Sequence, residues 1–143
     1  MAQVNAYLNF NGNCEEAFTF YRKAFGTEFE YIGRFKDTPS EIELAEEEGN
    51  KIMHVTLRIS EETVLMGSDT SENFGPLATF GNSISISINT NSEEEANNLF
   101  NKLSVDGKVT MPLAKTFWGA YFGMFTDKFG INWMVNYDYE TNS

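Results

Sequence analysis

Basic residues, histidine and cysteine are scarce in this chain of 143 residues, and each shortage narrows what the protein can be. Ten lysines and arginines stand against 21 aspartates and glutamates, which gives a formal net charge of −11 at pH 7. Nucleic-acid phosphates require a basic surface and anionic membranes attract basic segments, so we expect no nucleic-acid partner and no membrane partner. No apolar run approaches the length of a membrane span.

The single cysteine, Cys14, cannot form an internal disulfide. Residues 1–5 carry neither the basic region nor the apolar stretch of a signal peptide, so we expect a cytoplasmic protein. Cys14 comes at the start of a predicted helix, where the helix dipole can lower a thiol pKa. Two glutamates follow it and oppose that effect. A reactive thiol and an incidental cysteine both remain open, and we favour the second.

Apolar and aromatic residues are plentiful. Hydrophobic residues make up 41% of the chain and aromatic residues 15%, with 13 phenylalanines among them. This composition is typical of a packed globular protein. The length fits one structural domain, or two closely paired halves.

Two segments of similar sequence lie 79 residues apart (94 − 15 = 79). Residues 15–17 and 94–96 both read Glu-Glu-Ala and both open a helical pattern. Each pattern has a capping candidate at the matching position, Asn13 and Ser92, with a glutamate three residues later. A repeat of this length is one supersecondary unit that cannot bury its own sheet face, so we expect the two copies to share a core.

Each copy reads as a strand, a helix and three further strands. We therefore predict an α+β fold of two tandem βαβββ modules that form an open, barrel-like mixed sheet with helices outside. The first module is expected over residues 1–70, a linker over 71–81 and the second module over 82–143. The predicted strands cover residues 6–10, 28–35, 53–59, 63–68, 83–89, 108–113, 117–126 and 132–137.

Residues 37–50 interrupt the first copy with Pro39, Gly49 and five glutamates, Glu41 among them. This composition indicates an exposed loop or a frayed helical turn. A lid over a pocket is the alternative, and we favour a mobile acidic loop without that role.

Nearly the whole chain resembles the vicinal oxygen chelate superfamily, which includes glyoxalase I, extradiol dioxygenases and bleomycin-resistance proteins. The resembling stretches are YLNFNGNCEEAFTFYRKAFG, KIMHVTL, VLMGSD and KVTMPLAKTFWGAYFGMFTDKFGINWMVNY. The sequences of these stretches are similar to those of the PhnB-like subgroup, whose members are often labelled 3-demethylubiquinone-9 3-methyltransferase. No glycine-rich turn joins a strand to a helix here, so the residues do not support binding of a nucleotide-like methyl donor.

The resemblance implies a divalent metal held by His and Glu side chains of the first and last strands of each half. Aligned with that pattern, Met66 and Met134 take the place of the last ligands, and Ala6 and Ser83 that of the first. Thioether and hydroxyl groups are poor ligands for hard or borderline divalent ions. We therefore expect no metal site and no cofactor.

His54 is the only histidine, and it shares a predicted strand face with Thr56 and Arg58. His54 and Arg58 are the catalytic candidates, as an acid-base or oxyanion-binding pair. The alternative is a histidine hydrogen-bonded within a polar strip of the sheet. We favour the alternative because no carboxylate can be placed beside the imidazole.

Residues 117–125 form a dense aromatic run that we predict to lie on one strand. One face would carry Trp118, Ala120, Phe122 and Met124, and the other Tyr121, Gly123 and Phe125. The second set is expected to pack on helices. The first is expected to line a concavity for a planar or hydrophobic ligand, or to fill core and dimer interface. The full set of predicted pocket residues is Thr56, Met66, Ser85, Ser87, Trp118, Phe122, Met124 and Met134.

Three functions remain open at this point. The first is a small-molecule binding protein of the bleomycin-resistance kind, which needs a cavity and no metal. The second is an enzyme of unknown reaction (lyase, transferase or oxygenase type) that uses His54 or Arg58 on a small substrate. The third, a metal-dependent lyase or dioxygenase, is weakened by the missing ligands. We place the first ahead of the second, and for both we expect a homodimer, as the resemblance implies.

Overall fold

The computed structural model describes residues 2–37, 43–71 and 75–139. The chain divides into two units, Met1–Thr79 and Phe80–Ser143. Of the acidic segment, Pro39 and Glu41 lie outside the described residues, and Glu46–Asn50 forms a short helix, as the frayed-turn interpretation anticipated. Within the described ranges, no helix combines the length and the apolar character that a membrane span requires.

The first unit is a four-stranded mixed sheet with one long helix. Strand order is β1-β4-β3-β2, with β1 parallel to β4 and the other neighbours antiparallel. Its elements are β1 Ala6–Phe10, α1 Cys14–Phe25, β2 Phe29–Arg34, a 3-10 turn Phe35–Asp37, α2 Glu46–Asn50, β3 Ile52–Arg58 and β4 Val64–Asp69.

The second unit repeats this plan. Strand order is β5-β8-β7-β6, with β5 parallel to β8 and the remaining pairs antiparallel. Its elements are β5 Ile86–Asn89, α3 Glu93–Leu103, β6 Lys108–Lys115, β7 Ala120–Thr126 and β8 Asn132–Asp138. The predicted α+β class and the two βαβββ units are confirmed, with each unit forming its own unclosed sheet.

The two units correspond element by element. The first residue of α3 lies 79 positions after that of α1 (93 − 14 = 79), the offset read from the sequence. Strand β7 reproduces β3 at an offset of 68, because 120 − 52 and 126 − 58 both equal 68. Positions in one sheet can therefore be compared with positions in the other.

Helix α1 buries one stripe against its sheet, with Ala17, Phe18 and Tyr21 fully buried. Gly26 closes the helix in the left-handed conformation at φ 70°, as predicted. The helix approaches β4 closely because Gly67 has no side chain. A Cβ at Gly67 would lie 2.5 Å from the Phe18 ring and 2.8 Å from the Leu8 carbonyl oxygen.

The helix caps differ between the copies. Ser92 caps α3 as predicted: its hydroxyl accepts a hydrogen bond from the Glu95 amide at 3.0 Å, and the Glu95 carboxylate accepts one from the Asn91 amide at 2.9 Å. The predicted cap of α1 is wrong, because the Asn13 side chain makes no capping hydrogen bond. The Asp69 carboxylate, 5% exposed, serves this end of α1 and accepts from the amide of Cys14 at 2.9 Å.

The predicted strand over residues 117–126 starts later than expected. Phe117, Trp118 and Gly119 form a turn, and β7 begins at Ala120. Gly119 adopts φ 88°, and Thr116 closes the turn through backbone and hydroxyl hydrogen bonds to Ala120. The prediction that Trp118 and Ala120 share a strand face with Phe122 is therefore wrong for Trp118.

The prediction that Tyr121, Gly123 and Phe125 pack on a helix is confirmed, because these residues contact α3. The ring of Phe125 lies 5.0 Å from that of Phe100, edge to face. A Cβ at Gly123 would come within 2.7 Å of the same ring, and the Tyr121 hydroxyl donates to Asn97 at 2.7 Å.

Candidate functional site

The sheet face of the first unit that faces away from α1 carries a row of four paired residues. Tyr7 pairs with Met66, Met66 with Thr56 and Thr56 with Tyr31, across all four strands. Directly paired residues project from the same face of a sheet, so their side chains are neighbours. The structure thus brings together two predicted site residues, Thr56 and Met66, with two tyrosines that the sequence analysis missed.

His54 lies two residues along β3 from Thr56 and contacts both tyrosines. Its Nδ1 is 3.1 Å from the Tyr7 hydroxyl and its Nε2 is 2.9 Å from the Thr56 hydroxyl. The Tyr7 and Tyr31 rings lie 5.6 and 6.0 Å from the imidazole, tilted by 33° and 36°. Both hydroxyls can donate or accept, so either neutral tautomer of His54 is satisfied.

The position of Tyr31 depends on a glycine. A Cβ at Gly33, which pairs with His54, would collide with the phenol ring of Tyr31. Without that Cβ, the ring lies over the strand beside the imidazole. Tyr7 is 42% exposed and Tyr31 is 50% exposed, so both rings present a face to a ligand.

Arg58 is on the same strand face but is occupied by the protein. Its guanidinium binds the Glu30 carboxylate through Nε at 2.8 Å and through Nη2. Its Nη1 donates to the carbonyl oxygens of Ser60 and Glu61 at 3.2 and 3.1 Å. These contacts hold the β3–β4 turn, which leaves His54 as the better placed of the two catalytic candidates.

The equivalent row in the second unit has a different chemistry. Ser87 pairs with Met134, Met134 with Met124 and Met124 with Met111. Met124 corresponds to Thr56 and Met134 to Met66 at the offset of 68 (124 − 56 = 134 − 66 = 68).

Aromatic side chains border this methionine row. Phe122 lies two residues before Met124 on β7, and its ring is 6.1 Å from that of Trp118. Trp118, in the turn, is 58% exposed. Ser85 precedes β5 and is half-buried. The predicted pocket residues of the second unit thus include an apolar patch of thioethers and rings.

The donors at the aligned ligand positions do not fit a divalent metal. Met66 has the Tyr7 and Thr56 side chains as paired neighbours, and Met134 has Ser87 and Met124. Over the three described ranges, no group of three or more His, Cys, Asp and Glu side chains is arranged to hold a metal ion. The chemistry of these rows is that of hydroxyls, aromatic rings and thioethers.

A polar cleft of about 550 Å³ lies at the N-terminal end of α1 in the first unit. Arg34 spans it, donating to both carboxylate oxygens of Glu15, at 3.0 and 2.6 Å, and this hydrogen bonding lowers the pKa of Glu15. Lys36 donates to Asn50 at 3.0 Å and Lys51 to a glutamate at 2.8 Å. Because its cations are already paired within the protein, the cleft is a weaker candidate than the sheet faces.

Cys14 has the properties of the incidental cysteine. Its side chain is fully buried at the start of α1. Burial, with a smaller contribution from the carboxylates of Asp69 and Glu15, raises the pKa of the thiol well above its usual range. A protonated, inaccessible thiol is not a nucleophile.

Comparison with known proteins agrees with this architecture. A family model described as 3-demethylubiquinone-9 3-methyltransferase matches residues 2–136. The chain is similar to protein PA1353 from Pseudomonas aeruginosa, with 43% identity, a TM-score of 0.85 and coverage of 98% of this chain and 100% of that one. It is also similar to a PhnB protein from Bacillus cereus, with 27% identity, a TM-score of 0.74 and coverage of 95% and 99%.

More distant similarity establishes the fold alone. A glyoxylase/bleomycin resistance protein/dioxygenase domain from a Frankia species shares 11% identity, with a TM-score of 0.69 and coverage of 97% of this chain and 99% of that one. The family model and the Bacillus cereus protein confirm the resemblance to the PhnB-like subgroup, and the Frankia domain confirms the glyoxalase-like fold.

Proposed function

The chain belongs to the family described as 3-demethylubiquinone-9 3-methyltransferase and has the fold of glyoxalase and bleomycin-resistance proteins, and we propose that it is a small-molecule binding protein. The observation that carries this proposal is the face of the first unit, where two exposed tyrosine rings flank His54. Aromatic rings bind planar ligands by stacking. The net charge of −11 favours a neutral or cationic ligand over an anionic one.

The contact surface proposed for the first unit consists of Tyr7, Tyr31, His54, Thr56 and Met66. In the second unit, the predicted pocket residues Ser85, Ser87, Trp118, Phe122, Met124 and Met134 are proposed as an apolar contact surface. Thioether side chains adapt their shape to different partners and pack well against aromatic groups.

Methyl transfer is not part of the proposal, because the residues do not fit a nucleotide-like methyl donor. Such donors are bound at a glycine-rich strand-to-helix turn whose helix N-terminus accepts the ligand. Here the β1–α1 turn contains one glycine, Gly12. The Asp69 carboxylate already accepts hydrogen bonds from the amides of Gly12 and Cys14, both at 2.9 Å. These two amides at the start of the helix are therefore already satisfied by a buried carboxylate.

A second candidate function is an enzyme that acts on a small substrate at the same face. The hydrogen bond between the Tyr7 hydroxyl and His54 Nδ1, at 3.1 Å, favours it. An imidazole that accepts from a phenol can make that phenol a better acid-base group. In this case Tyr7→Phe and His54→Ala would each abolish turnover while leaving the unfolding temperature within about 3 °C of wild type.

Cytoplasmic location and a homodimer also belong to the proposal. Support for the dimer comes from the second unit, where Phe117 is 98% exposed and Trp118 is 58% exposed, with Val109 of the edge strand β6 44% exposed. Exposed apolar groups of this size are typical of association surfaces. Light scattering on Phe117→Ser/Trp118→Ser protein is expected to show a monomer, and a dimer of unchanged stability would contradict this assignment.

Binding can be tested with proflavine, a planar aromatic cation, in a fluorescence titration. We expect saturable binding that Tyr31→Ala weakens about tenfold, equivalent to about 1.4 kcal/mol of stacking and cation–π energy. His54→Ala is expected to change affinity less than about threefold, because the imidazole is satisfied within the protein. The matched control is Phe80→Ala, which removes a ring that is 42% exposed and belongs to neither proposed contact surface. Equal affinities for Tyr31→Ala and Phe80→Ala would refute the assignment of the ligand to this face.

A further inference from the structure

The second unit contains a row of three methionines, Met111, Met124 and Met134, on adjacent strands. We infer that this row is a binding site for one soft monovalent cation, Cu(I) or Ag(I). The inference concerns the second unit alone, and it assigns an ion to thioethers that also belong to the apolar contact surface proposed for that unit. It does not depend on the ligand proposed for the first unit.

The geometry of the row comes from strand pairing. Met124 on the inner strand β7 is directly opposite Met134 on β8 in a regular ladder. Met124 also pairs with Met111 on the edge strand β6, at a position that has a register shift on either side. Direct cross-strand neighbours have Cβ atoms about 5 Å apart, and each methionine side chain has three rotatable bonds beyond its backbone. The two outer thioethers can therefore approach the central one from either side.

The row is accessible to an ion from solvent. Met111 is 44% exposed, and Met124 and Met134 are half-buried. On the opposite face of β7, Phe125 packs against α3 and is 1% exposed. The thioethers thus lie on the open face of the sheet and are not packed in the core between the sheet and α3.

The choice of ion follows from the donor atoms. Neutral sulfur ligands select soft cations such as Cu(I), whereas magnesium, calcium and manganese require oxygen ligands. The neighbouring Ser87 adds a hydroxyl and no charge. The protein's net charge of −11 attracts a cation to an otherwise uncharged site.

Methionine is concentrated in this row. The chain has six methionines, and three of them occupy consecutive strands at one level of one sheet. In the other sheet, the same level carries tyrosine, methionine, threonine and tyrosine. The only thiol, Cys14, is buried, so it does not compete for a soft ion in the folded protein.

Titration with Ag(I) in chloride-free buffer, followed by calorimetry, tests the inference. We expect one Ag(I) per chain with submicromolar affinity, and no comparable binding of Zn(II). Met124→Leu is expected to weaken Ag(I) binding at least tenfold, and the triple Met111→Leu/Met124→Leu/Met134→Leu variant at least a hundredfold. Leucine conserves apolar volume, so the variants are expected to fold. Met66→Leu, in the other unit, is the matched control and is expected to bind as wild type does.

A second readout uses only the wild-type protein. With 13C-labelled methionine methyl groups, Ag(I) is expected to shift the signals of Met111, Met124 and Met134 and to leave that of Met66 in place. The inference is overturned if wild-type protein binds no stoichiometric Ag(I), if the triple variant binds with unchanged affinity, or if Met66→Leu weakens binding as much as Met124→Leu.

Discussion

Asp69 joins three parts of the first unit through one buried carboxylate. Its Oδ1 accepts hydrogen bonds from the amides of Gly12 and Cys14, and its Oδ2 accepts one from the amide of Ile52, each at 2.9 Å. The end of β4 is thereby tied to the start of α1 and the start of β3. His54 lies on β3 and Met66 on β4, so this carboxylate supports two strands of the proposed binding face.

Replacement of Asp69 should therefore be costly. Asp69→Asn leaves one oxygen for three amide donors and places an NH2 group against one of them. We expect the free energy of unfolding to fall by about 3 kcal/mol, measured by urea denaturation. Asp138→Asn alters an exposed carboxylate and should change stability by less than about 0.5 kcal/mol. Equal effects of the two substitutions would mean that the Asp69 hydrogen bonds do not hold the unit together.

The buried thiol of Cys14 predicts a pH dependence of stability. Its pKa is raised in the folded state, so the contribution is fully present below the ordinary thiol pKa of about 8.5 and is lost as the pH rises above it. The unfolded chain releases the proton that the folded chain retains, and the loss is about 1.4 kcal/mol per pH unit. Cys14→Ala protein has no thiol, so its unfolding free energy does not change with pH for this reason.

The measurement is the difference in unfolding free energy between wild type and Cys14→Ala. Between about pH 8.5 and about pH 10 we expect wild type to lose about 2 kcal/mol more than the variant. Lysine and tyrosine ionisation affects both proteins and cancels in this difference. Parallel pH profiles would show that the thiol ionises freely in the folded protein.

The two long helices illustrate how the same element is stabilised in two ways. Helix α3 is capped locally by Ser92 with Glu95, within the same turn of sequence. Helix α1 is capped by Asp69, which is 55 residues from Cys14 in the chain. A local sequence pattern reveals the first arrangement and cannot reveal the second.

Paired substitutions test this difference. Ser92→Ala removes a cap and should lower the free energy of unfolding by about 1 kcal/mol. Asn13→Ala, at the matching position before α1, should lower it by less than about 0.3 kcal/mol, because its side chain makes no capping hydrogen bond. Thermal and urea unfolding of the two variants gives the comparison. A larger loss for Asn13→Ala would mean that α1 is capped locally after all.

Glycines set the distance between helix and sheet in both units. Gly67 admits the Phe18 ring of α1, and Gly123 admits the Phe100 ring of α3. We expect Gly67→Ala and Gly123→Ala each to destabilise the protein by about 2 kcal/mol, because the added methyl group overpacks the core. Gly81→Ala is the control, since a Cβ there meets no atom within 4 Å. If all three variants were equally stable, the close packing of helix and sheet would not be needed.

Over the whole molecule, the two units share one arrangement of strands and helices but differ in the side chains on their open sheet faces. The row of Tyr7, Met66, Thr56 and Tyr31 in one unit corresponds to the row of Ser87, Met134, Met124 and Met111 in the other. Because the rows lie on the sheet faces away from the helices and contribute little to the helix-side core, their residues can differ without loss of the fold. The proposed contact surfaces are therefore among the parts of the molecule in which the two copies differ.

The same distinction explains what the sequence could predict. Period-two apolar residues predicted β3 and β4 to within one or two residues, since burial of one face imposes that pattern. The turn at Gly119 was missed because an aromatic run continues through it. Tyr7 and Tyr31 were missed because the facing of their strands depends on pairings between distant segments, and a bulge interrupts β2 beside Tyr31.

The most direct test of the proposed binding face is to locate a bound planar ligand by amide and side-chain chemical-shift mapping during a proflavine titration. Our account predicts that the largest shifts in the first unit occur at Tyr7, Tyr31, His54 and Met66, with small changes at Arg34 and Lys51 of the polar cleft. Shifts confined to that cleft, or no saturable shifts at all, would contradict it.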